Sequence, residues 1–300
     1  MIWERPHVRS RAKQSARVRL SHTLNWHKGW TSLYFGSRIK NAGSTQALER
    51  GSSMSFLNTI LLSAVVGVVG TGTGGLIVSI KGNPSKKLLS LFLGYSGGVM
   101  VSLLAFDLMP EAIELGGTFL PLVFMVAGAV TIMVFDMLLP HSHHFSCDEE
   151  SMRFARTAYV VAMGIAMHDL PEGLAVGAGL ASGSSLGLRV AALMFLHNMP
   201  EGMAVAGPLA CIGRKRRDIL LISSATGLPS VAGAAIGAFF GTLSPAVLSA
   251  SLAFAAGAML FVTFDEVIPD AEELSEGGHN GTLGAVAGVM TSIVLSQLLH

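Results

Sequence analysis

Two short stretches carry most of the chemistry in this 300-residue chain. His168-Asp169-Leu170-Pro171-Glu172-Gly173-Leu174-Ala175-Val176 recurs 29 residues later as His197-Asn198-Met199-Pro200-Glu201-Gly202-Met203-Ala204-Val205, with six of nine positions identical. In a helix, residues four apart share a face, so His168 stands beside Glu172 and His197 beside Glu201. Two such faces turned together offer two imidazoles and two carboxylates, the mixed nitrogen and oxygen set that suits zinc and neighbouring divalent ions. Pro171 cannot donate to the carbonyl of Met167, nor Pro200 to that of Leu196, so each helix exposes a free oxygen beside its His/Glu face. Asp169 and Asn198 lie about 100° around from the histidines; they serve a second ion only if Glu172 or Glu201 bridges. A single His or Glu can merely bond a neighbouring helix, but packing alone does not require six duplicated positions. The acid at Asp169 against the amide at Asn198 points to unequal tasks.

The elements that must hold these residues are membrane spans. Apolar residues make up 51% of the chain and charged ones 13%, about half the charged share of soluble domains, and the mean hydropathy is +0.57. This excludes a disordered chain, and 2 Cys exclude a disulfide scaffold. Eight stretches are long and apolar enough to span: 57–80, 88–113, 119–139, 157–181, 186–212, 219–241, 246–271 and 282–299. A carboxylate at the centre of a bilayer costs at least about 2.5 kcal/mol, which a bound dication would offset.

Lys and Arg in short loops orient the bundle. Lys81, Lys86, Lys87, Arg153, Arg156 and Arg214 to Arg217 follow the odd-numbered spans, whereas the even-numbered loops hold Arg189 alone. The odd loops are therefore cytoplasmic, both termini lie outside, and the protein is expected as a multi-pass component of the cell (inner) membrane. Residues 1–53 conflict with this, since they hold 10 of the 20 Lys and Arg. They read as a basic extension, either an upstream mis-start before Met54 or a targeting segment.

A second repeat lies 159 residues apart: Asp107-Leu108-Met109-Pro110-Glu111-Ala112 superposes on Glu266-Val267-Ile268-Pro269-Asp270-Ala271, with Gly98 on Gly257 and Met100 on Met259. Both repeats join spans an odd number apart, which run in opposite directions, as in transporters built from inverted halves. The expected fold is an all-α membrane protein, eight transmembrane helices over residues 54–300 in a 3+2+3 inverted-repeat bundle.

Asp107 and Glu111 fall toward the outer end of span two, and Glu266 and Asp270 toward the inner end of span seven. Acids at both mouths of a path gather cations, although helix-end carboxylates are also cheap because water is near. Asp136 reads as interfacial. The cytoplasmic loop 140–156 contains His141, His143 and His144 before Cys147, a tract suited to adaptable metal binding or to a solvated hinge. Cys147 and Cys211 are too few and too scattered to define a site.

At the two motifs the sequence resembles the ZIP (Zrt-, Irt-like protein) family of divalent-metal transporters, in its bacterial-type branch. The resemblance covers residues 54–300. It implies import of zinc, and variably iron, manganese or cadmium, into the cytoplasm. It also implies a first site from His168, Glu172, Glu201 and His197, and a second using Asp169, Asn198 and the same glutamates. Similar bacterial members usually supply a further glutamate from the sixth helix, where this chain has the neutral Ser230. The ion count is thus one or two, with Asp169 restoring the missing charge if it faces the ion. The expected partners are divalent ions and the lipid bilayer, with a homodimer as an option and no nucleic acid; no cofactor or enzymatic activity is expected. Two other classes remain: an intramembrane zinc hydrolase, for which no span offers His-Glu-x-x-His, and a proton-coupled carrier of an organic substrate, which predicts no stabilisation by metal.

Overall fold

The computed structural model describes residues 55–82, 84–138, 151–183 and 185–299, for 151–161 the helical backbone alone. The basic extension 1–53 and the loop histidines lie outside the described residues. All the described residues fall in one compact unit, Ser52–His300. They contain no strand and eight long helices: α1 Phe56–Lys81, α2 Lys86–Gly116, α3 Phe119–Leu138, α4 Ser151–Ala181, α5 Leu186–Cys211, α6 Arg216–Gly241, α7 Pro245–Leu274 and α8 Asn280–Leu298. Six of them are long and apolar enough to cross a membrane; α4 and α5, which carry the polar motifs, are not among the six.

Serine side chains start several of these helices by accepting from backbone N–H groups that the helix leaves orphaned. Ser85 Oγ accepts from Leu88 N at 3.3 Å and Ser244 Oγ from Val247 N at 3.2 Å. Gly82 and Gly117 end α1 and α2 with φ of 83° and 70°, a left-handed conformation that costs glycine nothing.

Three helices contain a single wide turn. In α1 it spans Val65–Val69, in α2 Leu104–Leu108 and in α7 Thr263–Val267. The last two precede Pro110 and Pro269, whose missing N–H and bulky ring disturb the regular ladder just upstream. Their positions differ by the same 159 residues as the second sequence repeat.

Close approach rests on small residues, as expected where lipid removes a hydrophobic drive between helices. A Cβ added at Gly173 of α4 would fall 1.8 Å from the carbonyl oxygen of Ser230 on α6, and one at Gly202 of α5 would fall 1.9 Å from that of Thr71 on α1. Helix α2 meets α8 with Gly98 against Ala285, and α7 meets α3 with Gly257 against Met125.

Two apolar clusters bracket a polar layer. One includes Ala175 and Val176 of α4 with Val190 and Met194 of α5; the other includes Ala162 and Ile165 of α4 with Met203 and Leu209 of α5. Residues 168–172 and 197–201 lie between them along both helices.

Three residues assigned to loops from sequence lie elsewhere. Helix α4 begins at Ser151, so the backbones of Arg153 and Arg156 are helical. Arg189 is inside α5 and 3% exposed, because a buried carboxylate, described below, compensates its charge.

Candidate metal centre

Pro171 and Pro200 sit inside α4 and α5 at the level where these helices face each other. From α4 come His168, Asp169 and Glu172, and from α5 His197, Asn198 and Glu201, all of them buried. The side chains meet across the helix boundary. His168 Nε2 lies 3.1 Å from Glu201 Oε1, and His197 Nε2 lies 2.8 Å from Glu172 Oε1 and 3.1 Å from Glu201 Oε1. Two groups offer three ligand atoms within 4.8 Å of one another: His168, Asp169 and Glu201, then Glu172, His197 and Glu201. Glu201 belongs to both. This is the bridging position that a second ion using Asp169 would require.

Many of the buried polar atoms here are unused. Both carboxylate oxygens of Asp169, Oε2 of Glu172, Oε2 of Glu201 and Oδ1 of Asn198 have no hydrogen-bond partner. Leaving such groups unmet costs several kcal/mol each when they are charged, so a cation or bound protons must compensate them. Five oxygens and two imidazoles in one layer form a donor set of the kind that takes a borderline divalent ion. Asn198 is half used, since its Nδ2 donates to Val66 O at 3.0 Å, in the wide turn of α1. Ser230, where a carboxylate would have joined the set, instead donates its hydroxyl to Gly227 O at 2.8 Å.

The expected path acids separate. Glu266 joins the centre, with Oε2 3.7 Å from His168 Nδ1. A cavity of about 20 Å³ beside it is lined by Asp136, Met167, His168 and Glu266, large enough for one water-sized particle. Asp107 does not reach the centre; it is buried and takes Arg189 Nε at 3.0 Å. Glu111 and Asp270 are half-buried about one turn beyond Asp107 and Glu266. His141, His143 and His144 lie outside the described residues.

Sequence reasoning missed two contributors. Ser96 on α2 hydrogen-bonds His197 Nδ1 through its hydroxyl, and Asp136 lines the cavity rather than standing only at the interface. Ser96 sits in the run Ser96-Gly97-Gly98, and the 159-residue repeat places Ala255 opposite it, so neither spacing nor repetition marks it.

Comparison with known proteins agrees with this chemistry. A family model described as ZIP zinc transporter matches residues 141–296. The protein called zinc transporter ZupT from Escherichia coli O7:K1 (strain IAI39 / ExPEC) is 29% identical over 257 residues, which cover 82% of this chain and 98% of that protein. Its counterpart in Escherichia coli (strain K12 / DH10B) matches with the same identity and coverage.

Proposed function

Because the chain belongs to the ZIP zinc transporter family, we propose that it imports divalent metal ions, zinc first among them, through the His/Glu centre between α4 and α5. The observation that carries this reading is the set of buried oxygens of Asp169, Glu172 and Glu201 without hydrogen-bond partners, gathered with two imidazoles. A dehydrated dication is the partner that such a set lacks. Iron, manganese or cadmium fit the same donors less selectively.

All eight helices cross the membrane in this reading, α4 and α5 included, because their charges face the bundle interior. The halves form a 3+2+3 inverted repeat. Supporting it, the wide turns of α2 and α7 share the 159-residue offset, and α4 packs on α6 as α5 packs on α1, each through the glycine of its motif. Lys81, Lys86, Lys87 and Arg214 to Arg217 lie at one end, which the positive-inside bias makes cytoplasmic. Both termini are then external, in the cell membrane.

The ion arrives among the acids at the Asp107 and Glu111 end and exchanges water for Glu172, Glu201, His168 and His197. It leaves past Glu266 and the cavity beside Asp136, toward Asp270 and the histidine loop. Each step trades one set of oxygens for another, so no intermediate position leaves the charge bare. Both the family and the relatives carry the name of a transporter, which favours this reading over an intramembrane hydrolase.

The test is zinc uptake into proteoliposomes by Glu172→Ala. Transport is expected to be abolished while the variant keeps its helical spectrum and elution profile. Uptake at the wild-type rate would remove the central site from the mechanism.

A further inference from the structure

The wide turns Leu104–Leu108 and Thr263–Val267 each carry one acid that the 159-residue offset superposes, Asp107 and Glu266, and the two acids end in opposite circumstances. Glu266 is half-buried, lines a cavity and stands 3.7 Å from a histidine of the centre. Asp107 is 5% exposed. Its Oδ1 accepts from Arg189 Nε at 3.0 Å, and its two oxygens accept from Ser296 Oγ at 2.9 and 2.8 Å. Arg189 Nη1 in turn donates to Ser185 Oγ at 2.6 Å. One acid reaches the centre; a guanidinium binds the other.

We propose that the Asp107–Arg189 pair is a latch that binds α5 to α2 and α8 and shuts the Asp107 end of the path, Arg189 acting as a positioning residue. A buried ion pair adds little stability over apolar side chains of the same volume, so its use here fits the control of position better than the strength of packing. Two of the three helices that it ties together also serve the centre: α5 carries His197 and Glu201, and α2 carries Ser96. Shifting α5 to admit an ion from the Asp107 end must break the pair. The guanidinium also neutralises the acid that would otherwise attract a dication, and repels that ion at short range. An arriving ion therefore competes with Arg189 for Asp107, which links occupancy of the mouth to release of α5. This inference rests on the transport reading above.

The variant to use is the double substitution Asp107→Asn with Arg189→Met, which leaves no lone buried charge and so preserves folding. Hydrogen exchange on the full chain in lipid nanodiscs reads both ends at once. Residues 104–108 are expected to exchange roughly tenfold faster than in wild type. Residues 263–267 are expected to exchange several-fold more slowly, since opening one end closes the other. Faster exchange confined to the Asp107 end would reduce the pair to a structural bond and overturn the latch. In proteoliposomes, the KM for zinc should fall several-fold from the Asp107 side and rise from the Glu266 side, because a conformer's population scales apparent affinity. Unchanged KM values from both sides would overturn it too. A wild-type protein that carries no metal would defeat the transport reading, while the exchange result still decides the latch.

Discussion

His168 Nε2 stands 3.1 Å from Glu201 Oε1, although the two residues are 33 positions apart and on different helices. Glu201 lies equally close to His197 Nε2 and belongs to both three-residue groups, whereas Glu172 belongs to one. Glu201→Gln should therefore weaken zinc binding more than Glu172→Gln, with a loss of roughly 100-fold or more. Titration of thermal stabilisation by zinc measures both variants. A Glu172 variant as impaired as the Glu201 variant would remove the bridging role.

Asp169 is fully buried, and neither of its oxygens has a hydrogen-bond partner. Asp169→Ala should empty the His168, Asp169 and Glu201 group and leave an ion between Glu172, His197 and Glu201. The metal-free protein should at the same time melt higher, since an uncompensated buried acid opposes folding. Anomalous scattering counts the ions, and a calorimetric scan without metal gives the second readout. An ion count that is the same in both proteins would mean that Asp169 does not replace the carboxylate missing at Ser230.

The convergence of the His and Glu side chains was legible from sequence because a helix turns a spacing into a face. Two copies of His-x-x-x-Glu with an intervening proline fix which side chains can converge; His168, Asp169, Glu172, His197 and Glu201 do so, while Asn198 turns its amide nitrogen to Val66. Contacts between distant segments left no such mark. From sequence Arg189 counted only as a loop charge, and nothing near it in the chain announces Asp107, 82 residues away. The same holds for Ser96 and His197, 101 residues apart. The wide turns before Pro110 and Pro269, and the acids that those turns present, were not read from sequence either.

Glycines at the helix crossings should tolerate substitution unequally. An added methyl at Gly173 or Gly202 meets backbone of the neighbouring helix, while one at Gly164 on α4 meets nothing within 4 Å. Gly173→Ala and Gly202→Ala should each destabilise by about 1–3 kcal/mol. Gly164→Ala should be neutral or slightly stabilising, because alanine is the better helix former. Thermal unfolding of the three variants in one lipid or detergent checks the order.

At the α7–α8 connection, Lys86 Nζ lies 2.8 Å from Glu276 Oε1, with both side chains more than half exposed. The ammonium holds the Glu276 carboxyl below the usual carboxylate range. A depressed folded value contributes stability above the ordinary range and loses it as the pH falls through the folded value. Glu276→Gln should thus melt slightly below wild type at neutral pH. The gap should close below about pH 4 and shrink with added salt, since water and ions screen an exposed pair. A gap that is indifferent to both acid and salt would assign the effect to the turn, where Glu276 adopts a positive φ of 51°.

Ser96 offers a test of whether the centre is held ready for an ion. His197 presents Nε2 to Glu172 and Glu201, so Nδ1 must carry the proton whenever Nε2 coordinates metal, and the Ser96 hydroxyl is placed to accept it. Without that acceptor Nδ1 keeps only the longer contact to the Ser96 carbonyl oxygen at 3.4 Å, and the ring more easily rotates or adopts the other tautomer, which turns a proton rather than a lone pair toward the ion. Ser96→Ala should therefore lower zinc affinity by about 10–100-fold, with little change in metal-free stability beyond one lost hydrogen bond of about 1 kcal/mol. Ser96→Thr keeps the hydroxyl and should recover most of the affinity if its methyl fits. Zinc titrations of the three proteins, each paired with a metal-free melting curve, separate the roles: lower stability at unchanged affinity would make Ser96 a packing residue only.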